Sequence, residues 1–358
     1  MNNFFKKKKI LITGATGFKG TWLSLWLHLM GANVLACGLK KNSQKFFFEM
    51  KLNKRINTKL FDINNFCKLK KVMDNFKPEI IFHLAAQPLV QTSFFNPRET
   101  FETNINGTIN VLEICKASNY ARAIICITTD KVYKNNIYKK CYSEDDALQG
   151  EDPYSASKAS ADIIANSYLK SFFSKKKLVG LSVVRAGNVI GGGDLSENRL
   201  IPDCIKKLLK RKIIMIRNPN YVRPWQYVLE PIYGYLLLAI NLYKRPKKFS
   251  MPFNFGSSFS SSEKVNNIVK KVIKIWGRGK FYNVKNKDKY KEQSYLKLNS
   301  NKAFKVLKWK NILNNNAMIE YAVSWYKKVL FEKKDVYMIT KNQLVKFNKL
   351  TIFRNFFS

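Results

Sequence analysis

Short apolar runs closed by glycine or a polar residue alternate, along the first half of the chain, with longer stretches whose apolar residues recur at helical spacing. The run Lys9-Ile10-Leu11-Ile12-Thr13 stops at Gly14, which predicts a strand buried on both faces. After a glycine turn, Trp22, Leu23, Leu25, Trp26 and Leu29 fall on a predicted helix that reaches Gly31, and 33–38 reads as the next strand. The alternation continues with a helix over 64–76, a strand from Pro78 that turns at Leu84-Ala85-Ala86-Gln87, and a long helix over 97–118. A strand at 123–128, a helix from Pro153 to about Phe173 and a strand at 181–185 follow. Strand and helix in turn predict an α/β fold, a doubly wound parallel sheet with helices on both faces.

Past residue 186 the alternation becomes irregular. Gly187-Asn188-Val189-Ile190-Gly191-Gly192-Gly193-Asp194 reads as a backbone-exposing loop, 213–216 and 223–228 as strands, and 229–243 and 262–275 as helices. Phe253-Asn254-Phe255-Gly256 lies between those helices, 280–310 reads as loops with a short helix, and 317–331 has helical apolar spacing. The expected organisation is a dinucleotide-binding domain over 1–185, a smaller C-terminal substrate-binding lobe over 186–335 with some elements returning to the sheet, and a tail over 336–358.

Composition changes this picture little. The 64 basic and 24 acidic side chains give a formal charge of +40, which taken alone points to nucleic acid or an anionic surface. The lysines are spread over the whole chain among abundant Asn, Ile and Phe, the mixture that AT-biased coding produces, so no nucleic-acid partner is expected. No apolar run reaches the ~20 residues of a bilayer-spanning helix. The basic N-terminus runs directly into the first strand, without the apolar segment of a cleaved leader. A cytoplasmic protein with no membrane partner is expected. The six cysteines form no CxxC pair, which predicts reduced thiols, and neither His28 nor His83 has a partner at ligand spacing, so no metal site is expected.

Two stretches carry candidate chemistry. Gly14, Gly17 and Gly20 lie between a predicted strand and helix, where backbone must turn tightly and approach a pyrophosphate at a helix N-terminus. The second strand ends Gly38-Leu39-Lys40-Lys41, with no acid where a ribose ligand usually stands, and leaves NAD and NADP both open. The other stretch is Asp152-Pro153-Tyr154-Ser155-Ala156-Ser157-Lys158. Asp152 suits a helix cap and Pro153 the first helical position, which sets Tyr154 and Lys158 four residues apart on one face. A lysine beside a phenol favours the phenolate and makes it a usable base. Upstream, a buried strand delivers Thr129-Asp130-Lys131 at its carboxyl end, the edge at which open parallel sheets bind ligands.

With these stretches assembled, the chain resembles the extended short-chain dehydrogenase/reductases of the NAD-dependent epimerase/dehydratase family, with their Rossmann-type fold. Within that family it is similar to the CDP-glucose 4,6-dehydratases. The resemblance rests on GATGFKGTWLSLWLHLMGA (14–32), PEIIFHLAAQPLV (78–90), TNINGT (103–108), TTDKVY (128–133), DPYSASK (152–158), VVRAGNVIGGGD (183–194), NRLIPD (198–203), RPWQYVLEPIYGYLLLA (223–239) and LKLNSNKAFKVLKW (296–309). It implies NAD held by Gly14, Thr16, Gly17, Phe18, Lys19, Gly20, Asp62, Ile63, Leu84, Ala85, Ala86, Tyr154 and Lys158. It also implies a nucleotide-sugar substrate, CDP-glucose favoured, bound by Gln87, Arg185, Asn188, Arg199 and Arg223.

The implied reaction oxidises carbon 4, removes water across carbons 5 and 6 and returns the hydride to carbon 6, a step toward deoxy sugars of surface polysaccharide. Tyr154 would take the carbon-4 hydroxyl proton, Lys158 assist it, and Thr129 hold the sugar hydroxyl or Tyr154. A protonated Asp130 would donate to the departing hydroxyl and Lys131 is the candidate carbon-5 base, a role open also to water or another group. The resemblance implies a homodimer built on the helices at 97–118 and 153–173. Alternatives are a GDP- or dTDP-sugar dehydratase, a 4-epimerase, or a basic nucleic-acid-binding protein on a degenerate fold. The intact glycines and Tyr154/Lys158 pair weigh against the last.

Overall fold

A computed structural model describes residues 1–41, 44–135, 141–257, 262–284 and 296–356. Seven parallel strands form its main sheet: β1 (Lys9–Thr13), β2 (Asn33–Gly38), β3 (Asn57–Leu60), β4 (Ile80–His83), β5 (Ala123–Thr129), β6 (Gly180–Ala186) and β7 (Phe253–Phe255). Their spatial order is β7-β6-β5-β4-β1-β2-β3. The order reverses between β1 and β4, the crevice at which doubly wound sheets bind ligands. Helices α1 (Phe18–Leu29), α2 (Phe66–Phe76), α3 (Gly107–Ala117), α4 (Pro153–Tyr168) and α5 (Leu229–Lys244) are the long elements that accompany it.

The central strands are apolar without alternation, and every residue of β5 and β6 is buried. On one face, Leu11, Leu35, Ile81, Ile124 and Leu181 pack with Leu69 and Met73 of α2, Val111, Leu112 and Cys115 of α3 and Ala165 of α4. Six free cysteines are present, four of them buried at Cys37, Cys115, Cys126 and Cys204. Among the described residues no helix is long and apolar enough to cross a membrane.

The chain divides into two compact units. The first holds Met1–Ala186 and takes back Ile232–Phe255 and Leu298–Trp309, which supply most of α5 and the seventh strand. The second holds Gly187–Pro231, Gly256–Lys297 and Lys310–Ser358. The stretch expected to be a tail is helical from Val336 to Phe356 and belongs to the second unit. Its buried positions Thr340, Leu344, Phe347 and Thr351 share one face, and Trp325 Nε1 donates to Thr340 Oγ1 at 2.8 Å. Interspersed lysines hide that face in the sequence.

The long helix expected over 97–118 is present from Pro97 to Ala117: Pro97–Phe101 is α-helical, Glu102–Asn106 widens into a π-turn, and α3 continues it. A π-turn swings the residues after it about the axis. Asn104 and Asn106, poor helix formers, lie inside it.

Arg185 on β6, an expected diphosphate ligand, has a side chain only 2% exposed and held by partners within the fold. Its Nε and Nη2 donate to Asp162 Oδ2 and Oδ1 of α4, both at 2.8 Å, and Nη1 donates to Tyr133 Oη at 2.8 Å and Glu144 O at 3.1 Å. Asp162 also accepts from Thr128 Oγ1 at 3.1 Å and Asn166 Nδ2 at 2.9 Å. Tyr133 Oη passes its own proton to Asn254 Oδ1 on β7 at 2.7 Å. A guanidinium is the one cation whose planar fork satisfies a buried carboxylate through two parallel bonds.

Arg185→Met leaves Asp162 as an unpaired buried carboxylate and is expected to cost about 3–5 kcal/mol in urea unfolding. Adding Asp162→Leu should recover much of that loss. Weakened substrate binding with an unchanged unfolding midpoint would support the diphosphate assignment.

Candidate active site

Asp152 starts α4 as the sequence predicts: its Oδ1 accepts from Ser155 N at 2.9 Å, and Pro153 takes the first helical position. Gly150 lets the incoming chain press onto that turn, since a Cβ there would stand 1.9 Å from Ala156 N. The start fixes the phase of the helix. Tyr154, Lys158 and Asp162 follow one another at four-residue steps on its buried face, at 9%, 5% and 0% exposure.

That face packs against β5 and the short turn after it. Lys158 Nζ donates to Ile127 O at 2.8 Å, which ties the helix to β5 two residues before Thr129. Burial pulls the Lys158 ammonium down to about 8, against the opposing pull of Cys126 and Asp162. Thr129 caps the turn Asp130–Val132 through Lys131 N, and its Oγ1 lies 2.9 Å from Asp130 Oδ1. The Thr129 hydroxyl donates to the Asp130 carboxyl group. Asp130 is buried and Lys131 half-buried.

The glycine turn meets the expected cofactor requirements in different ways at each position. Gly14 has φ +67°, and a Cβ there would lie 2.6 Å from Ala85 N, so only glycine lets the turn touch the strand end of β4. A Cβ on Gly20 would stand 2.2 Å from Gly14 O, so its absence seats α1 against the turn. At Gly17, the N-cap of α1, the nearest atom to such a Cβ is Gly14 O at 3.3 Å, and the first turn of α1 carries no acid. This cradle fits a dinucleotide pyrophosphate: an open helix N-terminus with its positive pole and no side chain in the way. Thr16 is buried, Phe18 and Lys19 are half-buried, and Leu84, Ala85 and Ala86 are half-buried opposite the turn. Asp62 is exposed just beyond β3, its Oδ1 accepting from Asn64 N at 2.8 Å. Ile63 beside it is buried against Gly107, where a Cβ would come within 2.7 Å.

His83 is a packing histidine, as its apolar strand predicts. Asn104 O can only accept and Ala85 N can only donate, which orients the whole chain of bonds between them. Ala85 N donates to Thr13 Oγ1 at 3.3 Å, and Thr13 donates to His83 Nδ1 at 2.8 Å. His83 Nε2 then donates to Thr108 Oγ1 at 3.0 Å, and Thr108 to Asn104 O at 2.7 Å. Burial, with Lys158 nearby, pushes the His83 imidazole down to about 3, so it is neutral.

Sequence reasoning assigned no role to Asn104, yet its carboxamide joins both halves of the site. Its Oδ1 accepts from Gln87 N at 2.8 Å, and its Nδ2 donates to Gln87 O at 3.2 Å and Ser157 Oγ at 2.8 Å. Ser157 in turn donates to Tyr154 O at 2.7 Å. An asparagine inside a predicted helix was the signal that marked it.

Of the expected substrate residues, Gln87 uses its amide within the fold, donating to Leu89 O and to Thr100 Oγ1 of the helical segment Pro97–Phe101 and accepting from Leu89 N. Asn188 and Arg199 lie in the second unit. Arg199 Nε stands 3.6 Å from Asp194 Oδ2, and the Asn188 carbonyl accepts from Gln226 N at 3.1 Å. Arg223 sits in the strand Val222–Pro224, and its side chain lies outside the described residues.

A profile of the GDP-mannose 4,6-dehydratase family matches residues 11–334. The chain is 41% identical over 330 residues to CDP-glucose 4,6-dehydratase of Salmonella typhimurium, covering 91% of this chain and 92% of that one. The solved dTDP-glucose 4,6-dehydratase of Bacillus anthracis, in complex with NAD, superposes with TM-score 0.75 at 22% identity, covering 90% of this chain and 97% of that one. The UDP-glucuronic acid 4-epimerase of Bacillus cereus, in complex with UDP-glucuronic acid and NAD, superposes with TM-score 0.77 at 23% identity, covering 90% and 99%. The shared fold is the Rossmann-type sheet described above.

Neutral His83 has a testable consequence for stability against pH. Its folded pKa lies below the unfolded value, so between about 3 and 6.5 the unfolded chain binds the extra proton. Its contribution is fully present above 6.5 and is lost as pH falls toward 3. Unfolding midpoints of the wild type should therefore fall more steeply across this window than those of His83→Asn. Parallel curves would place the titration elsewhere.

Proposed function

The chain belongs to the GDP-mannose 4,6-dehydratase family, and from that membership we propose that it dehydrates a nucleotide-linked hexose, CDP-glucose foremost, to its 4-keto-6-deoxy product. The observation that carries this reading is the buried face of α4, which presents Tyr154 and Lys158 to the strand end bearing Thr129-Asp130-Lys131. The CDP preference rests on the extent of the likeness to the Salmonella enzyme.

NAD is the cofactor in this reading, held by the turn from Gly14 to Gly20, Asp62, Ile63 and the Leu84–Ala86 segment. When bound, it supplies the hydride acceptor and donor. The chain's own residues handle the protons. Tyr154 takes the proton of the carbon-4 hydroxyl, and the cationic form of Lys158 favours its phenolate. A ketone at carbon 4 makes the carbon-5 hydrogen acidic, and Lys131 removes it. Asp130, with Thr129 bonded to its carboxyl group, gives a proton to the carbon-6 hydroxyl, which leaves as water. That donated proton distinguishes a dehydratase from a 4-epimerase, whose substrate keeps all its hydroxyls. Asn188, Arg199 and Arg223 are the second unit's candidates for the nucleotide diphosphate.

Purified protein is expected to convert CDP-glucose into a 4-keto-6-deoxy sugar, read by its alkali-induced near-ultraviolet absorbance. Tyr154→Phe and Asp130→Asn should each lower the rate by about 10²–10⁴-fold. Product only from a dTDP-, UDP- or GDP-hexose would keep the chemistry and overturn the nucleotide assignment.

A homodimer and a cytoplasmic setting complete the reading, the latter in keeping with the free cysteines. The elements around the Tyr154 helix leave apolar side chains in solvent: Phe95 is 75% exposed, Ile163 54% and Phe172 42%. These side chains are the candidates for the face that a second copy covers in this reading. Light scattering should give the mass of two chains for the wild type and of one for Phe95→Glu/Ile163→Glu. An unchanged dimer in the variant would place the interface elsewhere.

A further inference from the structure

The end of β2 carries a positively charged cleft to which the dehydration assigns nothing. Lys40, Lys41, Lys45, Phe48 and Glu49 line an open cleft of about 450 Å³. Two of the ammonium groups are paired, Lys41 with Glu99 at 3.3 Å and Lys45 with Glu49 at 3.2 Å. Lys40 is exposed, its Nζ 5.9 Å from the centre of the Phe48 ring, and it has no carboxylate partner among the described residues.

The cleft is fastened to the glycine turn. Thr16 Oγ1 donates to Gln44 Oε1 at 3.1 Å, and Lys41 N donates to the same oxygen at 3.3 Å. Ala15 N donates to Cys37 O at 3.0 Å, and a Cβ on Gly38 would stand 2.4 Å from Thr16 Oγ1.

In a dinucleotide-binding sheet the adenosine ribose lies at this strand end. A carboxylate about 20 residues past the glycines accepts from the 2′-hydroxyl there and repels a 2′-phosphate. Lys40 stands at that distance from Gly20, and no acid occurs from Gly38 to Gln44. The charge at the recognition point is thus inverted.

Building on the dinucleotide reading above, we propose that this cleft receives the 2′-phosphate of an adenine dinucleotide, with Lys40 as the specificity-determining residue. The chain then binds NADP at least as tightly as NAD. The phosphate brings close to two negative charges to three lysines, two of which are already paired with Glu99 and Glu49. The phosphate would meet Lys40 without first displacing a carboxylate from it.

Calorimetric titration of the purified full-length protein with NAD, NADP and adenosine 2′,5′-bisphosphate, at low and high salt, tests this directly. The expected result is an NADP dissociation constant equal to or below that of NAD, with the steeper salt dependence that a phosphate–lysine contact brings. Lys40→Asp should weaken NADP by about tenfold or more and reverse the order of the two dinucleotides, while Lys45→Ala weakens NADP without favouring NAD. NAD binding with NADP at least about tenfold weaker in the wild type, or an unchanged ratio in Lys40→Asp, overturns the cleft assignment and leaves the dinucleotide reading standing. Binding of neither dinucleotide would overturn both.

Discussion

A lysine held out of water sets the terms for the rest of the site. Lys158 is buried, and Ile127 O accepts from its ammonium. An ammonium in that position is costly unless its surroundings are oriented toward it. Its helix must therefore start at one residue, keep one phase and stay pressed against β5. Asp152 and Pro153 set the start, the bare backbone at Gly150 permits the approach, and Asp162 holds the far end through Arg185. Tyr154, one turn before Lys158, inherits its position from these constraints.

Two buried polar networks keep the strands around that helix in place. The Arg185–Asp162 pair joins β6 to α4, and through Tyr133 and Asn254 it reaches β7. The chain from Ala85 through Thr13, His83 and Thr108 to Asn104 joins the ends of β1 and β4 to the π-turn before α3. Asn104 then bonds both the Gln87 backbone and Ser157, so the dinucleotide side and the proton-transfer side share one carboxamide. In a low-dielectric interior a network of this kind is stable only when each donor finds its acceptor, which makes its geometry unforgiving of displacement.

The +40 charge sits outside this machinery. The buried site uses two of the basic groups, Lys158 and Arg185, each placed by specific partners. At the end of β2 the same basic composition meets the adenosine side of a dinucleotide site, and there it takes on a chemical meaning that composition alone does not suggest.

The strands, the glycine turn, the cap at Asp152 and the spacing of Tyr154 and Lys158 were legible in the sequence because each rests on local chemistry. Apolar runs bury themselves, glycine alone relieves a crowded turn, and a helix repeats every 3.6 residues. The Thr129-Asp130-Lys131 turn was legible for a related reason, since the carboxyl end of a parallel strand is a ligand edge in every such sheet. Only the tertiary structure decided that Arg185 faces Asp162, that Gln87 reaches Thr100, that Asn104 bridges the two halves of the site, and that 336–356 forms a docked helix. Each of these depends on a partner many residues away. A side chain's donors do not announce in sequence which acceptor the fold will bring to them.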